Sequence, residues 1–124
     1  MRKTILNSVL IVFLLASGVN CSKSSNGPKS CDFQLVDSQP LSSNSQVIYL
    51  AGVENAGGTI SSLSYLDSTG TITVMNPMLP WSKTVTLKAG LKPTIGAKGS
   101  ANKGGQINIS FVSGGIQSGQ SCEN

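Results

Sequence analysis

The sequence predicts an all-β domain, a sandwich of two sheets built from about seven short strands. Three observations lead to this prediction. Apolar residues alternate with polar ones at period two, turn residues (Gly, Ser, Asn, Pro) separate the alternating runs, and no long stretch keeps a helical period. After a leader and a short linker, roughly 90 residues remain, enough for one modest core. We therefore expect a single domain, residues 31–124.

The clearest strand is 81–88, which places Trp81, Val85 and Leu87 on one face and polar residues on the other. Lys83 is the one charged residue on the apolar face. Trp81 shares the parity of the core residues, so we expect it in the core and not in a ligand site. The other predicted strands are 31–36, 47–53, 60–66, 71–75, 93–98 and 107–111.

Two segments are predicted to be loops. Segment 99–105 and tail 113–120 are rich in glycine and small polar residues, and they contain little that a core could bury. Asp67 is followed by Ser-Thr-Gly at 68–70, a sequence typical of a hairpin turn capped by the aspartate side chain.

The composition argues against catalysis and nucleic-acid binding. Histidine is absent and Arg2 is the only arginine, so the domain lacks the usual general base and the bidentate anion clamp. The five carboxylates form no paired motif, which leaves a carboxylate-only hydrolase as the catalytic alternative. Without Arg2 and Lys3, which lie in the leader, seven lysines against five acids leave +2, and these lysines are dispersed. We expect a non-enzymatic protein without cofactor, metal or nucleic-acid partner.

The N-terminus has the pattern of an export signal. Arg2 and Lys3 precede an apolar run, 5–16, which is shorter than the ~20 residues that a transmembrane helix needs. Residues 1–20 are therefore predicted to be a signal peptide. Cys21 follows it, precedes a polar linker (21–30), and resembles the lipidated cysteine of bacterial lipoproteins. We expect an exported protein anchored to a membrane by this lipid, in the periplasm or on the cell surface.

Two other readings of the leader are open. The apolar run could be retained as an anchor helix, or cleavage after the small residues 16–18 could release a soluble protein with three cysteines. If Cys21 carries lipid, Cys31 and Cys122 remain as a pair at the two ends of the domain, and export permits a disulfide. Such a bridge would stabilise the fold by about 4–5 kcal/mol in the chain-entropy model. Two free buried thiols are the alternative.

A block in the middle of the chain carries a family resemblance. A Tyr-Leu-Asp strand end at 65–67 is followed, about a dozen residues later, by Leu-Pro-Trp-Ser at 79–82 and a threonine-rich strand. Over 47–122 the chain resembles the mycobacterial membrane protein small family, MmpS. The residues that carry the resemblance, with structural roles, are Tyr65, Leu66, Asp67, Leu79, Pro80 and Trp81.

The resemblance implies a particular fold and role. It implies an immunoglobulin-like β-sandwich outside the cytoplasm, tethered to a membrane and accessory to a resistance-nodulation-division exporter of lipids or siderophores. Here a lipid on Cys21 would replace the family's N-terminal membrane helix. A membrane transport protein is thus the expected partner.

Two functions follow as hypotheses. The first is a non-enzymatic accessory or binding subunit of the cell envelope, with an export complex as the candidate assembly. This hypothesis predicts an exposed apolar patch or a groove between the sheets. A surface-adhesion or glycan-binding module predicts a polar outer face with exposed aromatic residues at loop tips. The few aromatic residues mostly have inward parity, which favours the first hypothesis.

Overall fold

Period-two alternation produces antiparallel strands along residues 27–124, the part of the chain that the computed structural model describes. The predicted signal peptide and Cys21 lie outside these residues. Within them, no helix is long and apolar enough to cross a membrane. The strands are β1 Lys29–Val36, β2 Ser45–Asn55, β3 Gly58–Asp67, β4 Gly70–Met75, β5 Trp81–Leu87, β6 Thr94–Ala101, β7 Gly105–Ser113 and β8 Ile116–Glu123.

The strands form two four-stranded sheets with the orders β1-β6-β3-β4 and β5-β2-β7-β8. Every neighbouring pair is antiparallel. The prediction of an all-β sandwich is confirmed. β1 and β2 lie in different sheets, whereas the first two strands of an immunoglobulin constant domain share one. The strand order therefore supports a sandwich but does not identify it as immunoglobulin-like.

The core lies between the inward faces of the two sheets, and Tyr49 joins those sheets at its centre. The Tyr49 hydroxyl donates to the Leu66 carbonyl at 2.8 Å and accepts from the Thr94 N–H at 3.2 Å. Burial raises the pKa of Tyr49, so the hydroxyl stays protonated and able to donate. The largest fully buried residues around it are Phe111, Leu63, Leu87, Ile95, Ile107, Ile109, Val47 and Pro93.

The prediction of two loops is wrong over most of each segment. β8, an eighth strand beside the about seven predicted, occupies most of the expected loop 113–120. In segment 99–105 only the turn 102–104 lies between strands, since β6 continues to Ala101 and β7 starts at Gly105. The glycines of this segment serve close backbone contact: a Cβ on Gly99 would overlap the Thr59 carbonyl oxygen of the neighbouring strand.

The sandwich has two ends, which we name by the position of Gly27. The entry end contains Gly27, the turns 56–57 and 102–104, and Asn124, whose side-chain amide donates to the Gly27 carbonyl at 2.9 Å. The distal end contains the connections 37–44, 68–69, 88–93 and 114–115.

Candidate functional site

The distal end holds an open cleft of about 430 Å³ between the β1–β2 connection and the β7–β8 hairpin. One wall is the β1–β2 connection, residues 37–42, and the other is the start of β8 with Ile116 and Ser118. Phe111, which is itself buried, contributes to the lining. Ile116 is 70% exposed, so the cleft presents apolar surface to solvent. A volume of this size is within the range of small-ligand sites.

Hydrogen bonds fix the wall formed by the β1–β2 connection. The Leu41 N–H donates to the Leu91 carbonyl at 2.9 Å, and the Gly90 N–H donates to the Leu41 carbonyl at 2.8 Å. The Asp37 N–H donates to the Pro93 carbonyl at 2.9 Å. These bonds attach the connection to residues 88–93, so the cleft is preformed.

The opposite wall comes from a tight hairpin. Gly114 and Gly115 have positive φ angles of 60° and 81°, which suits a two-residue turn of the primed type. The turn pairs Ser113 with Ile116, and the register then places Ile116 and Ser118 on the inward side of β8. Because β8 is the outer strand of its sheet, no further strand covers the Ile116 side chain, which lies over the cleft.

The chemistry of the cleft suits binding. Serine hydroxyls and the leucine, isoleucine and phenylalanine side chains mentioned above can receive an apolar group and a few hydrogen bonds. Its one carboxylate, Asp37, accepts a hydrogen bond from the Gln39 N–H at 3.2 Å in a local turn. Among residues 27–124, no three His, Cys, Asp or Glu side chains come together to hold a metal.

The residues of the family resemblance lie away from this cleft and pack at the other flank. The rings of Tyr65 and Trp81 are tilted against each other with centroids 5.4 Å apart, and Tyr65 also contacts Tyr49 at 5.5 Å. Trp81, Leu66 and Leu79 are partly buried against the core. Trp81 therefore belongs to the core margin, as predicted from its parity.

Pro80 and Asp67, the two remaining residues of that set, shape the backbone. The Leu79–Pro80 peptide bond is cis, where the chain passes from β4 to β5. The Asp67 carboxylate accepts from the Thr69 hydroxyl at 2.8 Å and from the Thr69 N–H at 2.7 Å. These hydrogen bonds lower the pKa of Asp67. The predicted role of Asp67 as the cap of a hairpin turn is confirmed.

The predicted disulfide is present. Cys31 and Cys122 are bonded, with their Cα atoms 6.1 Å apart and 91 positions separating them in the chain. Cys31 is in β1 and Cys122 in β8, so the bond joins the outer strands of the two sheets. It closes that flank near the entry end, at the opposite end from the cleft.

The sequence hypothesis of an apolar patch or groove did not identify the residues of the cleft. Leu41, Phe111 and Ile116 are far apart in the chain, and Ile116 falls in a segment predicted to be a loop. The Gly-Gly pair at 114–115 followed by an isoleucine was the available signal of a hairpin.

Comparison of the chain with protein families, with curated proteins and with solved structures found no match.

Proposed function

We propose that this protein is an exported, non-enzymatic binding or accessory subunit of the cell envelope, anchored to a membrane by a lipid on Cys21. In this proposal the distal cleft holds an apolar group of the partner or cargo. Removal of residues 1–20 as a signal peptide would leave Cys21 at the N-terminus of the anchored chain. The Cys31–Cys122 disulfide fits export, because such bonds persist in oxidising compartments.

The observation that carries the proposal is the position of the cleft relative to the anchor. Gly27, the first described residue, is at the entry end, and Ile116 is at the opposite end. An eight-residue strand such as β1 or β8 spans about 26 Å at 3.3 Å per residue. A domain anchored through the entry end thus presents an open apolar cleft away from its anchor, as a docking subunit would.

The resemblance to MmpS supports a membrane transport protein as the partner. The residues that carry the resemblance lie at the end of β3, at the cis Leu79–Pro80 bond between β4 and β5, and at the start of β5, where their roles are structural. None of these residues lines the distal cleft. An accessory subunit of an exporter is accordingly the role we propose first.

Site-specific photo-crosslinking in cells tests this proposal. A benzophenone amino acid replaces Ile116 in the full chain, and a matched chain carries it at Thr84, which is exposed on the outer face of β5. We expect a light-dependent adduct with one membrane protein from position 116 and none from position 84. Leu41→Glu, which places a charge in the cleft wall, should remove the adduct.

The anchor is tested in the same cells. Cys21→Ala should move the protein from the membrane fraction to the soluble fraction and abolish the adduct. Equal adducts from positions 116 and 84, or adducts that survive Leu41→Glu, would contradict binding in the cleft. Membrane association that survives Cys21→Ala would contradict the lipid anchor.

A specific observation favours a second candidate, the glycan-binding module. The outer face of the β1-β6-β3-β4 sheet carries a shallow trough of about 300 Å³ over Gly96, because glycine has no side chain to fill it. Gln34, Ser64 and Thr73 surround it, and they lie in one row of paired residues across the sheet. Amide and hydroxyl groups can hydrogen-bond to sugars. No aromatic residue is among the exposed large apolar residues of the described chain, so stacking would be missing.

The two candidates separate in a glycan-binding assay. If the trough binds sugar, Gln34→Ala should abolish binding to a glycan array, while Gln46→Ala, on the outer face of the other sheet, should leave it intact. The first candidate predicts no sugar binding by either chain.

A further inference from the structure

The connection between β4 and β5 carries exposed apolar surface that the fold does not use. Met78 is 86% exposed, the largest fraction among the exposed large apolar residues of the described chain, and Met75 is 65% exposed. We call residues 75–79 the methionine segment. It is uncharged, and no charged residue occurs between Asp67 and Lys83. Apolar surface displayed in this way points to a contact surface.

The backbone holds this segment in place. The Asn76 N–H donates to the Ser61 carbonyl at 2.8 Å, and Leu79 packs against the core. The segment is thus attached on both sides of Met78, and its exposure results from a fixed crossing between the two sheets. Methionine is unbranched and adapts to irregular apolar surroundings, which suits contact with a surface that has no fixed shape.

The segment lies near the entry end, on the flank opposite Gly27. Ser61 is three residues beyond Gly58, the first residue of β3 at the entry end, which is about 10 Å at 3.3 Å per residue. β1 and β4 are the two outer strands of one four-stranded sheet, so they are about 14 Å apart. The separation of the methionine segment from Gly27 is therefore about 17 Å, from these two perpendicular distances.

The chain that precedes Gly27 is long enough to cover this separation. Six positions separate Cys21 from Gly27, and an extended chain of that length reaches at most about 20 Å. We propose that the methionine segment contacts the lipid bilayer and inserts Met75 and Met78 at the interface, as a second attachment beside the lipid on Cys21. This inference rests on the lipid anchor proposed above. It orients the entry end toward the membrane and the distal cleft away from it.

A fluorescence measurement tests the contact, because Trp81 is the only tryptophan and lies three positions after Met78. The full chain is produced with its own leader, purified from membranes in detergent and reconstituted into phosphatidylcholine–phosphatidylglycerol vesicles. A second vesicle set contains lipid brominated near the glycerol end of the acyl chains. We expect bromine to quench Trp81 in the wild-type protein. Met75→Ser with Met78→Ser should reduce the quenching about twofold or more, because the inserted apolar area is removed.

Val36→Ser is the matched control, since it removes an exposed apolar side chain (47%) at the distal end of β1, outside the cleft. Its quenching should equal that of the wild type. Vesicle flotation is measured on every sample. Protein that floats without quenching of Trp81 would overturn the membrane contact and leave the anchor standing, whereas protein that fails to float would overturn both. Met78→Cys chains that cross-link to each other in these vesicles, without quenching, would reassign the segment to an interface between two copies.

Discussion

The two ends of the sandwich differ in how closely the backbone is packed. At the entry end the backbones approach so closely that a Cβ on Gly58, Gly99 or Gly105 would overlap a carbonyl oxygen of a neighbouring segment. At the distal end the β1–β2 connection and the start of β8 border an open cleft of about 430 Å³. Close backbone contact and the disulfide lie toward one end, and the open cleft lies at the other. In the function proposed above, the parts that stabilise the fold and the part that binds a partner are therefore separated along the strand direction.

The largest effect is expected from the disulfide. Replacing Cys31 and Cys122 by alanine removes the covalent link between the two sheets and frees a segment of 91 positions in the unfolded chain. The free energy of unfolding should fall by about 4 kcal/mol. Urea unfolding of the two purified proteins measures it. A fall below about 1 kcal/mol would show that packing, and not the bridge, stabilises the entry end.

A pair of glycine substitutions tests the close contact directly. Gly99→Ala forces a methyl group against the Thr59 carbonyl, so we expect a loss of about 2–3 kcal/mol in the free energy of unfolding. Gly52→Ala is the matched control, because a Cβ there has nothing within 4 Å. Its effect should stay within about 0.5 kcal/mol, measured by the same urea unfolding. Equal effects of the two changes would contradict the account of the entry end.

The strands differ in how well the sequence predicted them. Alternation of apolar residues predicted β5 and β7 because their side chains are buried on one face. The same criterion missed β8, an outer strand with few apolar residues, which is held by backbone pairing to β7 and by Cys122. Hydrogen bonds and a disulfide leave no hydrophobic period in a sequence. The cleft was missed for the same reason, since one of its walls is β8.

A smaller effect is expected at Tyr49, which connects the sheets between the two ends. Tyr49→Phe leaves the Leu66 carbonyl and the Thr94 N–H without the hydroxyl that joins them. We expect a loss of about 1–2 kcal/mol in the free energy of unfolding. The control is Tyr65→Phe, because the Tyr65 hydroxyl makes no such bridge within residues 27–124. A neutral Tyr49→Phe would show that water replaces the bridge without cost.

The smallest effect is expected at the Asp67 turn and depends on pH. The folded pKa of Asp67 lies below its ordinary value of 3.8, so its contribution to stability is present above that value. The contribution is lost as the pH falls through the lower folded pKa. The Tm of the wild type should exceed that of Asp67→Ala at pH 7, and the difference should shrink under strongly acidic conditions. A difference that grows on acidification would contradict the sign of this shift.

We propose that this disulfide-bonded sandwich is exported and anchored through Cys21. Intact mass spectrometry of the protein from the membrane fraction, with thiol alkylation before and after reduction, tests the anchor and the disulfide together. We expect a chain that starts at Cys21 with added acyl mass, in which Cys31 and Cys122 are alkylated only after reduction. A chain without acyl mass that starts near Val19, with thiols that react before reduction, would overturn both the anchor and the bridge.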